Sequence, residues 1–529
     1  MTRFRKTTRL QAAGAGILAA AAGLAVSSGI SSLLTGVPTP VIAVGNRVID
    51  WTPTPVKNWA IERFGDADKP ILIGSVLVVI VLFAAIAGVV GLRRPTLAIV
   101  MTAVLGLAAL LLSATDRTAT APAFLVILPS IVALIVSMSA LAWLLATLAR
   151  RLEDTRDRWL SPHPGDQLPS DFDRRRFLIA AMATGAAIAA GGVVTKLFGG
   201  SAAAGSRVDV AGRIPVPADP AGPIPKGAQL ELNGITSYMT SNEDFYRVDT
   251  ALTVPDVPAD TWTLRIHGMV DKELELSFED LLDMRLIERR ITLTCVSNQV
   301  GGKLAGNAAW IGVPLKDLFE MAGVQDGADA VFATSADNWT CATPIADMID
   351  REGMLALAMN GEPLPLEHGF PVRVVVPGLY GMVSATKWVV DLEVTRLNEV
   401  EAYWTGRGWA EEAPIKTQSR IDTPRGFQEL KPASDGTLTM GGVAWAQTTG
   451  IAKVEVQIDD EPWQDAKLGA EDTLDTWRMW TWTWDAPTSG NHNITVRATD
   501  RSGYTQTSDQ AETLPDGATG WHNIQFVVT

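Results

Sequence analysis

Five stretches of the chain are almost unbroken in apolar residues, at about 10–34, 70–92, 95–114, 121–148 and 177–199, and after residue 200 the pattern changes. Each stretch is long enough to cross a hydrocarbon core of about 30 Å, which takes about 20 helical residues. Helix is required there because unpaired backbone groups are too costly in lipid. The segment GSAAAGSRVDVAGRIPVPADPAGPIPKGAQ follows, rich in Gly, Ala and Pro and without periodicity, and predicts a tether over 201–229. From 230 to 400, strand-like runs (TWTLRIHGMV, RITLTCV, VRVVVPG, WVVDLEVT) alternate with amphipathic helix patterns (SFEDLLDMRL, PLKDLFEMAG). In the second helix pattern Leu315, Leu318, Phe319 and Ala322 share one face, so that helix should pack on a sheet. A connector, 401–424, leads to short strands at regular spacing over 425–529 (TLTMGGVAWA, IAKVEVQID, WRMWTWTW, HNITVRATD, WHNIQFVVT), the pattern of an all-β sandwich. Trp480, Trp482 and Trp484 alternate and so share one strand face, read as sandwich core or domain contact in preference to an exposed stripe. The expected architecture is multidomain: a transmembrane α-helical bundle over 1–200, an α+β domain and an all-β domain.

Charge separates the same two parts. Up to Gly205 there are 19 Lys and Arg against 11 Asp and Glu, leaving 25 against 47 for the remainder. The acidic portion argues against a nucleic-acid partner. Basic clusters in MTRFRKTTR, at Arg93-Arg94, over 150–158 and at Arg174-Arg175-Arg176 fall in alternate connections. By the positive-inside rule the N-terminus is then cytoplasmic, and five crossings leave everything after about residue 200 outside. The stretch DRRRFLIAAMATGAAIAAGG resembles a twin-arginine export signal, with Arg174-Arg175 ahead of Phe177-Leu178, which implies the matching export machinery as a partner. The five stretches contain no His, no Cys and almost no charge. Bis-histidine haem is therefore excluded there, an ion pathway is disfavoured, and the bundle reads as an anchor or a docking surface for a partner.

Cysteine is scarce, two in 529 residues. Cys295, in ITLTCVSNQVGG, stands where a β-branched run breaks into a polar, Gly-containing loop. Three readings stay open on the residues alone: a disulfide with Cys341, a buried free thiol, or a thiolate on a metal. No His/Cys cluster with zinc spacing exists, so a metal here would need its other ligands from an organic cofactor.

LTCVSN, the following AWIGVPLKDLFEMAG, and NGEPLPLEHGFPVRVVVPGLYG resemble the sulfite oxidase family of molybdopterin enzymes, from about Thr240 onward. The segments GGVAWAQTTGIAKVEVQIDDEPWQ and GWHNIQFVV are similar to that family's immunoglobulin-like dimerisation domain. The resemblance implies that Cys295 is the single protein ligand to the molybdenum of a molybdenum–molybdopterin cofactor. It also implies a cofactor wall of Asn242, Phe245 and Tyr246, a hydroxyl from Thr334, pterin and phosphate contacts from His368 and Arg373, and donors from Ser384, Ala385, Thr386 and Lys387. The chain departs from the family where sulfite would be held. Val248 stands where an arginine is expected, with Arg247 one position earlier; Asn298 is followed by Gln299-Val300; Trp339 takes the tyrosine position. With Cys295, the residues Arg247, Asn298 and Trp339 are the expected catalytic set. The implied activity is oxygen-atom transfer to or from an S-oxide, an N-oxide or another small sulfur compound, sulfite itself being disfavoured. The alternative is a membrane-tethered binding or assembly module that keeps the fold without turnover. No CxxCH motif is present and cysteines are too few for an iron–sulfur cluster, so no haem or such cluster is expected in this chain. Electrons would pass through a separate carrier, a cytochrome or a membrane redox subunit, and the chain would act as a monomer or homodimer.

Overall fold

A computed structural model describes residues 6–34, 36–64, 67–160, 171–198, 201–485 and 487–529. The backbone forms two compact units, one of Met1–Ser201 with Thr250–Val254 and one of Ala202–Asp249 with Pro255–Thr529.

In the first unit five helices are long and apolar enough to cross a membrane: Thr8–Ser31, Lys69–Gly91, Pro95–Ala114, Ala123–Ala149 and Leu178–Thr195. Small residues let their backbones approach. A Cβ added at Gly16 would lie 2.0 Å from the Ala84 carbonyl oxygen, one at Gly88 2.0 Å from that of Ala12, and one at Gly191 2.3 Å from that of Ala25. Such close packing is what holds helices together where burial in lipid supplies no hydrophobic drive. A shorter helix, Pro40–Trp51, lies between the first two spans, with Thr39 accepting from the Ile42 amide at its N-terminus. It carries Asn46, which donates to both Asp116 carboxylate oxygens (3.1 and 3.0 Å) and to Thr118 (2.9 Å). Residues 1–5 and the side chains of 150–160 and Arg174–Arg176, on which the orientation and export readings rest, lie outside the described residues.

The second unit opens with two sheets. One is mixed, with Thr263–Gly268 parallel to Val389–Thr395 at its centre and Leu274–Ser277, Ala330–Ser335 and Thr340–Pro344 completing it. The other pairs Ile287–Thr294, Ala305–Pro314, Met354–Met359 and Glu362–Pro363 in order, with Arg373–Val375 also against Met354–Met359. Helix Leu315–Ala322 buries Leu315, Leu318, Phe319 and Ala322, the face its spacing predicts, and stops at Gly323, whose φ of 68° suits glycine.

Two boundaries differ from the sequence expectation. The segment 201–229, expected as a tether, carries helix Ala202–Val210, its first amides held by the Asp256 carboxylate, and Asp219 bridges to Ile287. A nine-residue helix capped from a distant residue leaves too short a pattern to recognise. The connector 401–424 contains strand Gln418–Thr423, the first strand of the sandwich. Its buried Gln418, Ser419 and Arg420 hid it: Gln418 donates to the Ala518 carbonyl, Ser419 to Gln506, and Arg420 pairs with Asp422, so burial there is polar and shows no apolar alternation.

The sandwich itself packs the sheet Gln418–Thr423, Thr437–Trp445, Arg478–Asp485 and Lys467–Leu468 against a five-stranded one. Trp480 and Trp482 are buried between them with Met440, Val456, Val496 and Phe526. Buried polar contacts join the sandwich to the α+β part. Arg290 pairs with Asp472, which also accepts from the Tyr238 hydroxyl at 2.8 Å, and Gln447 donates to the Thr292 carbonyl at 3.0 Å.

Candidate functional site

Strand Ile287–Thr294 delivers Cys295 at its C-terminal end, and a loop returns the chain to strand Ala305–Pro314. The loop is closed by its own polar atoms. The Cys295 amide donates to the Leu304 carbonyl (2.9 Å), the Asn298 amide to the Cys295 carbonyl (3.0 Å), and the Leu304 amide to Asn298 Oδ1 (2.8 Å). Gly301 turns with φ of 76° directly against His522 of the sandwich, where a Cβ would fall 2.1 Å from Nε2. Cys295 and Cys341 are both free and buried, so the disulfide reading falls. Burial raises the Cys295 thiol pKa, opposed by hydrogen bonds at Ser297 and by the positive charge of Lys387. Two buried polar atoms beside it, Thr294 Oγ1 and Asn298 Nδ2, have no hydrogen-bond partner among the described residues.

The second component is a cradle of aromatic and basic groups. Phe245 stacks on Tyr246 at 5.2 Å and meets Trp310 and His368 edge-on at 5.7 and 5.5 Å. His368 Nε2 donates to the Asn242 carbonyl at 3.1 Å, a carbonyl being able only to accept. Burial lowers the His368 pKa to about 4, so the ring is neutral near pH 7. Asn360 donates to Asn242 Oδ1 at 2.9 Å and fixes that wall from the Asn-Gly turn of the adjoining hairpin. Arg373 is buried against the Trp310 ring at 5.1 Å, and its guanidinium donates to the His368 carbonyl at 3.1 Å and, at 3.4 and 3.5 Å, to those of Val374 and Ala385. Among the described residues no carboxylate pairs with it. Burial pulls its pKa down to about 10, and a desolvated cation without a carboxylate is one that a bound anion would stabilise. Lys387 takes a different partner: its Nζ lies 2.8 Å from Asp249 Oδ2, which also accepts from Arg247 Nε at 2.8 Å.

The expected residues are thus unevenly placed. Asn242, Phe245, Tyr246, His368, Arg373, Ala385 and Lys387 form one connected cluster, and the electrostatic influence of Cys295 on Tyr246 and of Lys387 on Cys295 ties the thiol to it. Ser384 and Thr386 belong to the fold beneath. The Ser384 hydroxyl donates to the Leu379 and Tyr380 carbonyls, and Thr386 Oγ1 lies 3.1 Å from Cys341 Sγ. Their hydroxyls are therefore engaged within the protein, whereas the expectation for Ser384 to Lys387 covered backbone as well as side-chain donors. Thr334 lies in strand Ala330–Ser335 and Trp339 in the turn after it, which is fastened beside Trp388 by the Ala336 amide. Among the described residues no hydrogen bond or ring contact joins Thr334 or Trp339 to Cys295, His368 or Arg373. Sequence reasoning passed over Asp249, Asn360 and Trp310; of these only Asn360 had a local signal, its Asn-Gly pair.

The geometry describes a buried thiol beside an aromatic and basic cluster in which one buried cation has no carboxylate among the described residues. The family described as "oxidoreductase molybdopterin binding domain" matches residues 251–404, and that described as "Mo-co oxidoreductase dimerisation domain" matches residues 411–528. The chain belongs to the sulfite oxidase family of molybdopterin oxidoreductases. It is 37% identical over 148 residues to the uncharacterized oxidoreductase YuiH of Bacillus subtilis, covering 28% of this chain and 72% of that one. With mitochondrial sulfite oxidase of Homo sapiens it shares 28% identity over 348 residues, 55% of this chain and 62% of the relative, so it spans about six-tenths of that protein's length. The crystal structure of the sulfane dehydrogenase SoxCD from Paracoccus pantotrophus is similar at 24% identity and a TM-score of 0.45, over 51% of this chain and 75% of that one.

Proposed function

We propose that the protein is a molybdenum-dependent oxidoreductase that transfers an oxygen atom to or from a small S-oxide, N-oxide or related sulfur compound, at a pocket on the outer face of a membrane. The observation that carries this reading is Arg373, a buried guanidinium whose described partners are carbonyl oxygens alone. It suits a phosphate-bearing cofactor, and the orphaned Thr294 and Asn298 atoms beside a soft sulfur donor suit a metal-bearing one. When bound, the molybdenum–pterin group would supply two-electron oxygen-atom chemistry.

The chain's own residues would hold and shield that group. Cys295 would be its thiolate ligand, giving up the proton that burial otherwise favours. Arg373 would hold the phosphate, and neutral His368, locked by the Asn242 carbonyl, would present its Nδ1 lone pair as an acceptor. Phe245 and Tyr246 would exclude water, with Tyr246 kept as a neutral phenol by burial. Asn298 Nδ2, buried and without a partner among the described residues while its oxygen accepts from Leu304, would donate to the oxygen of the substrate. Arg247 and Trp339 remain the expected outer members of the catalytic set, with Thr334 a further hydroxyl.

Alternating basic connections support a cytoplasmic N-terminus and an external pocket, and the Arg174-Arg175 motif supports twin-arginine export of a cofactor-loaded domain. The dimerisation-type sandwich supports a homodimer, and an external electron carrier completes the cycle. Metal analysis of the full chain from cells that make the cofactor tests the reading. Stoichiometric molybdenum, with turnover of sulfoxides or N-oxides against an artificial electron carrier, is the expected result. Absence of molybdenum would leave the tethered binding module.

A further inference from the structure

Arg247 and Lys387 converge on one atom, Asp249 Oδ2, each at 2.8 Å. Exposure grades across the three side chains, 5% for Asp249, 10% for Lys387 and 31% for Arg247, so the carboxylate is the innermost member and the guanidinium the outermost. Lys387 is further tied to the Glu367 carbonyl at 3.1 Å and lies 4.6 Å from the Trp388 ring centre. The cation whose charge acts on the Cys295 thiol is therefore held by groups that belong to the chain.

We propose that Asp249 determines the class of substrate: its carboxylate occupies the position an oxyanion would take between Arg247 and Lys387, so the pocket refuses sulfite-like dianions and admits uncharged S-oxides or N-oxides. This rests on the oxidoreductase reading above and adds the residue that sets its selectivity. A dianion entering here must displace a carboxylate that accepts two charge-assisted hydrogen bonds, or sit against it and be repelled. An S=O or N–O dipole needs only a donor, and the orphaned amide of Asn298 beside Cys295 is one. Selection thus works by filling the anion site from within, which is distinct from merely lacking basic residues.

The test uses the molybdenum-loaded full chain in detergent, in which Arg373 would already hold the cofactor phosphate, and sodium sulfate, a redox-inert dianion of sulfite-like shape, at fixed ionic strength, with binding read as a saturable rise in melting temperature. Wild type should show none, whereas Asp249→Asn, which keeps the shape and removes the charge, should bind sulfate at least about tenfold more tightly. Asp249→Ala should do the same, and if it is unstable without salt, rescue by sulfate but not by chloride is itself the expected signature. Molybdenum-loaded Asp249→Asn should in addition become inhibited by sulfate. Equal sulfate affinity in wild type and variants, or no gain in either variant, overturns the assignment to Asp249 and leaves the oxidoreductase reading standing. Absence of molybdenum from the wild-type chain removes that reading, and the substrate class with it.

Discussion

Two cationic centres in the pocket wall differ in one respect that bears on everything else. Lys387 has Asp249 at 2.8 Å, while the deeper guanidinium of Arg373 has only carbonyl oxygens among the described residues. Leaving a buried cation without a carboxylate costs several kcal/mol in desolvation, so a fold that keeps one is arranged for an anion that arrives from outside. A buried cation given its own carboxylate is closed to such an anion. One chain thus contains a buried cation left without a carboxylate and a buried cation given one, fourteen positions apart in sequence. On the reading proposed above, the first would take a cofactor phosphate, and the second would bar a charged substrate.

The largest effect that could break this comparison lies at the thiol both centres surround. Cys295→Ser should reduce molybdenum content and turnover to background, while the melting temperature of the cofactor-free chain stays close to wild type, since Ser is smaller by little and the loop is closed by backbone bonds and Asn298. Retained metal in the variant, measured by mass spectrometry of the element, would remove Cys295 as the ligand.

A paired and an unpaired arginine sharpen the argument next. Arg290 is buried with Asp472, which the Tyr238 hydroxyl also reaches. Arg290→Met should destabilise the chain by about 3–5 kcal/mol, because it strands a buried carboxylate. Arg373→Met strands no carboxylate, so the cofactor-free chain should be unchanged or more stable, by up to about 1–3 kcal/mol, even as cofactor retention falls about tenfold or more. Denaturant unfolding of the two variants side by side checks the opposite signs. A large loss of stability in Arg373→Met would mean that the guanidinium serves the fold and not an anion.

The unequal legibility of these features follows from their physics. The spans could be read because they are continuously apolar, and the helix face of Leu315, Leu318, Phe319 and Ala322 and the tryptophan-bearing sandwich strand because burial there is periodic and apolar. The position of Cys295 was legible because a strand ends in a polar loop, and its companions His368 and Arg373 because they sit in one continuous motif. Strand Gln418–Thr423 was missed since its buried residues are polar and satisfied by Ala518 and Gln506, about a hundred residues away in sequence. Asp249 was not singled out by sequence reasoning. Its meaning lies in a contact with Lys387, separated from it by 138 positions, and no local signal encodes that pairing. The hydroxyls of Ser384 and Thr386 show a related limit: sequence shows that a donor exists but not that the Tyr380 carbonyl and the Cys341 thiol already engage it.

The smallest effect concerns the seam that supports the cysteine loop. His522 accepts from the Ile421 amide at Nδ1 (2.9 Å) while the ring stands against Gly301, and burial together with Arg420 lowers its pKa to about 4. Its folded pKa lies below the ordinary value near 6.5, so the unfolded chain takes up the proton first as pH falls. The contribution is fully present above about pH 6.5 and is lost as pH drops toward 4, with a slope of at most about 1.4 kcal/mol per pH unit for one proton. His368, lowered to about 4 as well, acts in the same direction. Protonation of His522 would also end the Ile421 hydrogen bond, since Nδ1 could no longer accept, and would place a second positive charge beside Arg420. His522→Gln should therefore flatten part of the acid loss without removing the share due to His368. Denaturant unfolding of wild type and variant at pH 7, 6, 5 and 4 measures the difference. An unchanged slope in the variant would show that the ring under Gly301 does not set the acid sensitivity of the cysteine loop.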